Sequence, residues 1–348
     1  MDATQQGADR TTLQDVAQHA SVSRQTVSNA LRRPQVLSPD TLLRVRQSID
    51  ELRYQPNRHA QSLRTGESRL IGLRVDQMTP SVVLDRFLHA LTDGFRARGY
   101  SLIVFSPAEP ADDLSGYRDV LSSMSLDAFV LTATHPGDPR PAYLRERGTP
   151  AVSFGRPWGA EDAQHWVDVD GAAGIELAVD HLVERGHRRI AFLGWPSGSA
   201  VGDDRRSGWA RALDRHGLPP GSPAHADEDL SQALAAAGTL LDRSDPPSAV
   251  VCASDVLAVG VLHSLTERGL LAGRDVAVTG FDDSPVAALL RPGLTSVHQP
   301  LEQVADQIVG ILGRLLSGGA TTSATPSSGV LVTPRLVVRA SSNHREHT

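Results

Sequence analysis

VSRQTVSNALRRP, residues 22–34, contains no glycine and ends in proline, and it predicts a short helix. At helical spacing only Val27, Ala30 and Leu31 fall on one apolar stripe. Arg24, Gln25, Ser28 and Asn29 stand at i, i+1, i+4 and i+5, so they share the opposite face. These are the side chains that pair with base edges: Arg with guanine, Gln or Asn with adenine, Ser with either. Arg32, Arg33 and Arg44 add cations of the kind that hold phosphates without reading sequence. An ordinary three-helix bundle with a wet polar face is the alternative. The residue types on that face favour DNA.

On the N-terminal side, Thr12 with Asp15 three residues later predicts a capped helix whose buried stripe is Leu13, Val16, Ala17 and Ala20. Ser21 and Val22 leave room for about four connecting residues, the separation of a helix-turn-helix. On the C-terminal side, Ser38 followed by Pro39 announces a third helix, with Leu42, Val45, Ile49 and Leu52 inward. Next comes QPNRHAQSLRTGES, in which Asn57–Arg64 forms about two turns between Pro56 and Gly66. So short a helix is marginal alone and should form only when docked. Leu63 has no apolar companion in that segment. It either contacts the neighbouring domain or serves as a wedge between base steps.

Charge follows the same division. Residues 1–66 carry nine Arg against six acids, a net of +3, and the remaining 282 carry 25 Arg against 34 acids, a net of −9, giving the chain's −6. A basic head on an acidic body suggests that the head alone meets a polyanion. Cys252 is the single cysteine and lies in an apolar run, so no disulfide or Cys-based zinc site forms within one chain. The N-terminus lacks the apolar core of a secretory signal, and no run reaches eighteen apolar residues. A cytoplasmic protein without membrane contact is expected.

From Leu70 onward, LIGLRV, SLIVF, DAFVLT, PAVSF, RRIAFLG, SAVVCA and DVAVTGF read as buried parallel strands alternating with amphipathic helices. That is the pattern of a doubly wound α/β fold. The segment GRPWGAEDAQHWVDVDG reads as a loop dividing two such sets, which predicts two lobes facing a cleft. Ligands of open α/β sheets bind beyond the carboxyl ends of strands, where Asp76, Arg156, Trp158, Trp195, Ser254, Asp255 and Asp282 stand. Arg and Asp serve hydroxyls while an aromatic face covers the C–H surface of a sugar ring. All four Trp lie between 158 and 209, which favours a carbohydrate. For Trp166 and Trp209 core packing is equally open. Asp275 and Asp283 read as loop or capping residues, and Arg206 as solvated. No nucleophile-elbow, P-loop, dinucleotide or zinc-protease motif is present, and the adjacent pairs Asp203–Asp204 and Asp282–Asp283 do not oppose each other across a bond. Neither an enzyme nor a cofactor or metal is expected.

TLQDVAQHASVSRQTVSNAL followed by YQPNRHAQSL resembles the signature of the lactose and galactose repressor family of bacterial transcription regulators, and the similarity runs to about residue 340. The resemblance implies major-groove and phosphate contacts by Thr12, Ser23, Arg24, Gln25, Ser28 and Asn29, and minor-groove contacts by Asn57, Ala60 and Leu63 of a hinge helix. It also implies a periplasmic-binding-protein type I body in which the chain crosses between lobes three times. DDRRSGW resembles the family's Arg-x-x-Gly-aromatic signature and places the effector-clamping arginine at Arg205; Asp170, Asp255 and Asp282 match positions facing the ligand. Ser21 stands where the family often has Gly, and a positive φ there costs Ser somewhat more. The expected organisation is a tail (1–9), a helix-turn-helix domain (10–56), a hinge helix (57–67), a body (68–342) and a second tail (343–348). Within the body, lobe 1 takes 68–168 and 300–320, and lobe 2 takes 169–298 and 329–342. The expected partners are a palindromic operator, a mono- or disaccharide effector and a second copy, with a tetramer as the larger alternative. A purine or phosphorylated effector is the runner-up; a sugar-binding receptor or glycoside-acting enzyme is the remote one.

Overall fold

In the computed structural model Thr12 caps α1 (Leu13–His19): its hydroxyl accepts from the Asp15 amide, and the Asp15 carboxylate accepts from the Thr12 amide at 2.7 Å. Ser23 caps α2 (Arg24–Arg32) and Ser38 caps α3 (Pro39–Glu51), each accepting from the amide three residues on. Such caps contribute about 1 kcal/mol apiece. Four residues join α1 to α2, and Ser21 takes φ +52° there. Val16, Ala17, Ala20, Val27, Ala30, Val45 and Tyr54 form the buried core of the three helices. Leu31, expected inward, is 39% exposed. It lies about 100° further round the helix than Ala30, and the buried residues of α2 are Val27 and Ala30.

Residues 11–55, 67–75, 81–107, 112–159, 164–221, 223–318 and 329–343 are described, in two compact units, Met1–Ser68 and Arg69–Thr348. The expected hinge residues Asn57, Ala60 and Leu63, the strand-end residue Asp76 and both tails except Asn343 lie outside the described residues.

The second unit holds two six-stranded sheets. The first runs β11-β5-β4-β3-β1-β2, all parallel, from β1 (Leu70–Arg74), β2 (Ser101–Phe105), β3 (Ala128–Leu131), β4 (Ala151–Phe154), β5 (His165–Val169) and β11 (Gly329–Val332). Around it stand α4 (Val82–Ala97), α5 (Ser115–Ser123) and α6 (Arg140–Glu146). The second sheet runs β12-β10-β9-β8-β6-β7, from β6 (Ile190–Gly194), β7 (Ala224–His225), β8 (Ala249–Cys252), β9 (Ala277–Asp282), β10 (Thr295–His298) and the antiparallel edge strand β12 (Arg335–Val337). Its helices are α7 (Gly171–Glu184), α8 (Ala200–Arg215), α9 (Leu230–Leu241), α10 (Asp255–Glu267) and the short α11 (Pro285–Leu289).

All seven expected strands are present. His165–Val169, expected as part of a loop, is instead β5: Trp166 and Val167 are buried between β4 and β11, and this pairing is invisible to local periodicity. After β10 the chain returns to the first lobe as α12 (Leu301–Ser317), which packs against α4. The chain crosses three times, but the last crossing falls between β11 and β12. Residues 329–332, expected in lobe 2, therefore pair with β5 in lobe 1, where Gly329 gives the Trp166 ring space that any side chain would fill.

Candidate functional site

On α2 the side chains of Arg24 and Gln25 are exposed, while Ser28 and Asn29 are half-buried. Gln25 Nε2 donates to Asn29 Oδ1 at 3.1 Å, which holds the two amides as one polar ledge. Thr12 and Ser23 stand exposed at the N-termini of α1 and α2, where backbone amides favour a phosphate. Arg32, Arg33 and Arg44 are exposed nearby in sequence, as a phosphate-contacting set requires.

In the body six of the expected ligand residues, Arg156, Trp158, Asp170, Trp195, Arg205 and Asp282, lie where the two lobes meet. Arg156, after β4, donates through Nε to Asp168 at 3.0 Å and through Nη2 to Asp204 at 2.8 Å, and its guanidinium lies 4.5 Å from the Trp158 ring centroid. Asp168 belongs to the first lobe and Asp204 to α8 of the second, so Arg156 bridges the lobes. Burial opposes the charge on Arg156, yet Asp204 and Asp168 together hold its pKa above the ordinary value. Burial also pushes Asp168 upward against the pull of Arg156. Trp158 takes φ +46°, and its buried indole N–H has no partner among the described residues. Asp170 caps α7, accepting from the Ala173 amide at 3.0 Å.

Arg205 is almost wholly buried. Its Nη1 donates to the Ala253 carbonyl at 2.6 Å, and its guanidinium sits 3.6 Å from the Phe281 ring centroid and 5.2 Å from that of Trp195. Burial lowers its pKa, opposed by Asp282, Asp168, Glu228 and Asp204. Its Nε has no partner among the described residues, which leaves a donor for a ligand oxygen. Asp282 is pushed up to about 7 by burial and by neighbouring Asp255 and Glu228, against Arg205 and the Gln299 amide that donates to it at 2.6 Å.

Asp255, expected to face the ligand, is turned inward. Ser284 donates to one of its oxygens through both N–H and hydroxyl at 2.7 Å, and Ser296 donates to the other at 2.6 Å, so the carboxylate ties α10 to β10 and the loop after β9. Trp166 and Trp209 are core; Trp209 Nε1 donates to the Ile190 carbonyl and its ring packs on Phe192. Arg206 is half-buried and paired with Asp203. The residues that sequence reasoning passed over are Asp168, Asp204, Glu228, Phe281 and Gln299. Gln299 follows the unexpected strand β10, and a strand there would have placed it at the cleft; Glu228 sits in HADEDL, which has the look of a solvated acidic loop.

Trp195 and Ser254 follow β6 and β8, the neighbours between which the second sheet's connections reverse direction. Such a switch point is where open α/β sheets take their ligands. Among the described residues no group of His, Cys, Asp and Glu is placed to hold a metal, and no helix is long and apolar enough to cross a membrane.

Residues 12–57 match the family described as bacterial regulatory proteins, lacI family, and residues 179–342 match the periplasmic binding protein-like domain. The chain is 33% identical over 341 residues to the HTH-type transcriptional regulator CelR of Thermobifida fusca, covering 95% of this chain and 98% of that one. A solved complex of the transcriptional regulator CelR with cellobiose is similar at TM-score 0.72 and 30% identity, over 95% of this chain and all of that one. The lac repressor dimer bound to operator and the anti-inducer ONPF is similar at TM-score 0.83 and 26% identity, over 96% and 99%.

Proposed function

The chain belongs to the lacI family of bacterial regulatory proteins, and from that premise we propose a repressor that binds a palindromic operator as a dimer and releases it when a neutral mono- or disaccharide closes the two lobes. It is a transcriptional regulator with a helix-turn-helix head on a periplasmic-binding-protein-like body. Arg24, Gln25, Ser28 and Asn29 read base edges, and Thr12 and Ser23 meet phosphates. The hinge roles of Asn57, Ala60 and Leu63, and a cleft role for Asp76, extend the same reading. The relative solved on its operator is a dimer, which supports two heads on two half-sites.

The observation that carries the effector class is the charge around Arg205. Two cations, Arg156 and Arg205, face four carboxyl groups, Asp168, Asp204, Glu228 and Asp282, and even with Asp282 partly protonated near neutral pH the acids outnumber the cations. A phosphorylated or carboxylated ligand would enter against that excess, because like charges brought together out of water repel strongly. A neutral polyol meets donors at Arg205 and acceptors at Asp282, with Trp195 as an apolar face. CelR, the relative solved with cellobiose, makes that disaccharide the first probe.

Selection of binding sites from random duplexes, repeated with cellobiose and with its phosphorylated analogue, tests the reading. A palindrome bound roughly 10³-fold more tightly than random DNA, and released by the neutral sugar alone, is expected. Equal affinity for any duplex would sink it.

A further inference from the structure

Three strand ends lie side by side in the second sheet, in the order β7, β6, β8, and one side chain spans them. Glu228 follows β7. A single oxygen of its carboxylate, Oε2, accepts from Trp195 Nε1 at 2.6 Å, beyond β6, and from Ser254 Oγ at 2.9 Å, beyond β8. Ser254 is buried and also caps α10 by accepting from the Leu257 amide, so one of the two anchors is fixed by the body itself. Pairing of Gly194 with His225 brings the Glu228 loop beside Trp195, and His225 Nδ1 lies 3.0 Å from the Trp195 carbonyl.

Packing alone does not settle the Trp195 ring. It is half-buried, with the Arg205 guanidinium 5.2 Å from its centroid and Gly202 of α8 beside it, where a Cβ would stand 3.1 Å from Cε3. The glycine lets one edge of the indole approach α8 closely, which fixes where the ring sits but places no hydrogen-bond partner at its nitrogen. What pins its plane is the bond at Nε1, and a hydrogen bond to a carboxylate is shorter and stronger than one to a neutral acceptor.

We propose that Glu228 is a positioning residue for the effector site: it fixes the plane of the Trp195 indole on which a sugar ring stacks, without touching the sugar. This rests on the effector reading above, since Trp195 serves as a platform only if the ligand is a sugar. Charge is not the operative property. A glutamine carbonyl has two lone pairs and accepts the same two bonds.

The test uses the full chain with ¹⁵N-labelled tryptophan, the Trp195 indole resonance being assigned by its loss in Trp195→Phe. Without ligand, Glu228→Ala is expected to move that resonance away from its hydrogen-bonded position, and Glu228→Gln to leave it nearly in place. Cellobiose affinity, by calorimetry, is expected to fall about tenfold or more in Glu228→Ala and to stay within about threefold in Glu228→Gln, as loss or retention of the hydrogen bond to Trp195 implies. An unmoved resonance in Glu228→Ala overturns the proposal. So does a Glu228→Gln variant that keeps the resonance yet loses the sugar, because charge would then be the operative property. If the resonances behave as expected but wild-type protein binds no neutral sugar, the effector reading falls and the tether stands.

Discussion

At Asp282 the backbone takes φ +111°, and at Asp283 +47°, conformations that cost an L-residue energy and persist where surroundings impose them. The two adjacent carboxyls are pushed in opposite directions. Burial raises Asp282 to about 7; Asp283, despite some burial, is held below the ordinary range by Arg339 at 2.7 Å and His298 at 2.9 Å. Between about pH 4 and pH 7 folded Asp282 keeps a proton that the unfolded chain has released, so its contribution to stability is lost as pH rises through that window. Asp282→Asn is therefore expected to gain about 1–3 kcal/mol relative to wild type at pH 8 compared with pH 4, a range discounted because the side chain is only half-buried. Urea unfolding at both pH values measures it, and an identical difference at each would show that Asp282 titrates normally. That this aspartate stands at a strand end was legible in TGFDD. Its raised pKa was not, because it arises first from burial and then from Asp255 and Glu228, 27 and 54 residues away in sequence, all of which only the tertiary fold sets.

Among elements, α8 gives the motif Arg-x-x-Gly-aromatic a physical cause. Arg205 reaches the cleft, Trp209 fills the core against Phe192, and Gly208 sits on the backbone of α7. A Cβ at Gly208 would fall 2.8 Å from Ala172 Cα and closer still to the Ala172 carbonyl oxygen. Neither can retreat as a flexible side chain would. Gly208→Ala is expected to cost about 1–3 kcal/mol by forcing the helices apart and, by shifting Arg205, to weaken sugar binding. Thermal unfolding and calorimetry check both; a fully stable variant with intact affinity would show that α8 moves freely. The motif was readable as a pattern, but sequence could not say that its glycine is a helix-packing residue, since the partner helix had first to be placed.

For the whole molecule, the salient link is the Arg156–Asp204 pair, which joins first lobe to second beside the first crossing of the chain. Asp204 Oδ2 also accepts from the Ala172 amide at 3.0 Å, so the pair is fastened to the start of α7. Asp204→Asn keeps a carbonyl for that amide but removes the charge facing Arg156. It is expected to shrink the ratio of operator affinities without and with sugar by roughly threefold to tenfold, within the usual range of coupling energies, and to leave sugar-free operator binding unchanged. Operator titrations with and without cellobiose read it, and an unaltered ratio would remove the bridge from the allosteric linkage.

Periodicity, caps and charge determined what is local: the three head helices, the polar face of α2, seven of the strands and the basic head on an acidic body. These depend on neighbours within one or two turns, so the chain states them directly. Tertiary structure decided what depends on strand order. It turned Asp255 inward, left Leu31 outside, made a strand of His165–Val169 and sent Gly329–Val332 to the first lobe. It also brought Asp168, Asp204, Glu228 and Gln299 to a site that none of them announces alone. A side chain's chemistry is written in its type, whereas its partners are chosen by which strand ends the sheets set side by side.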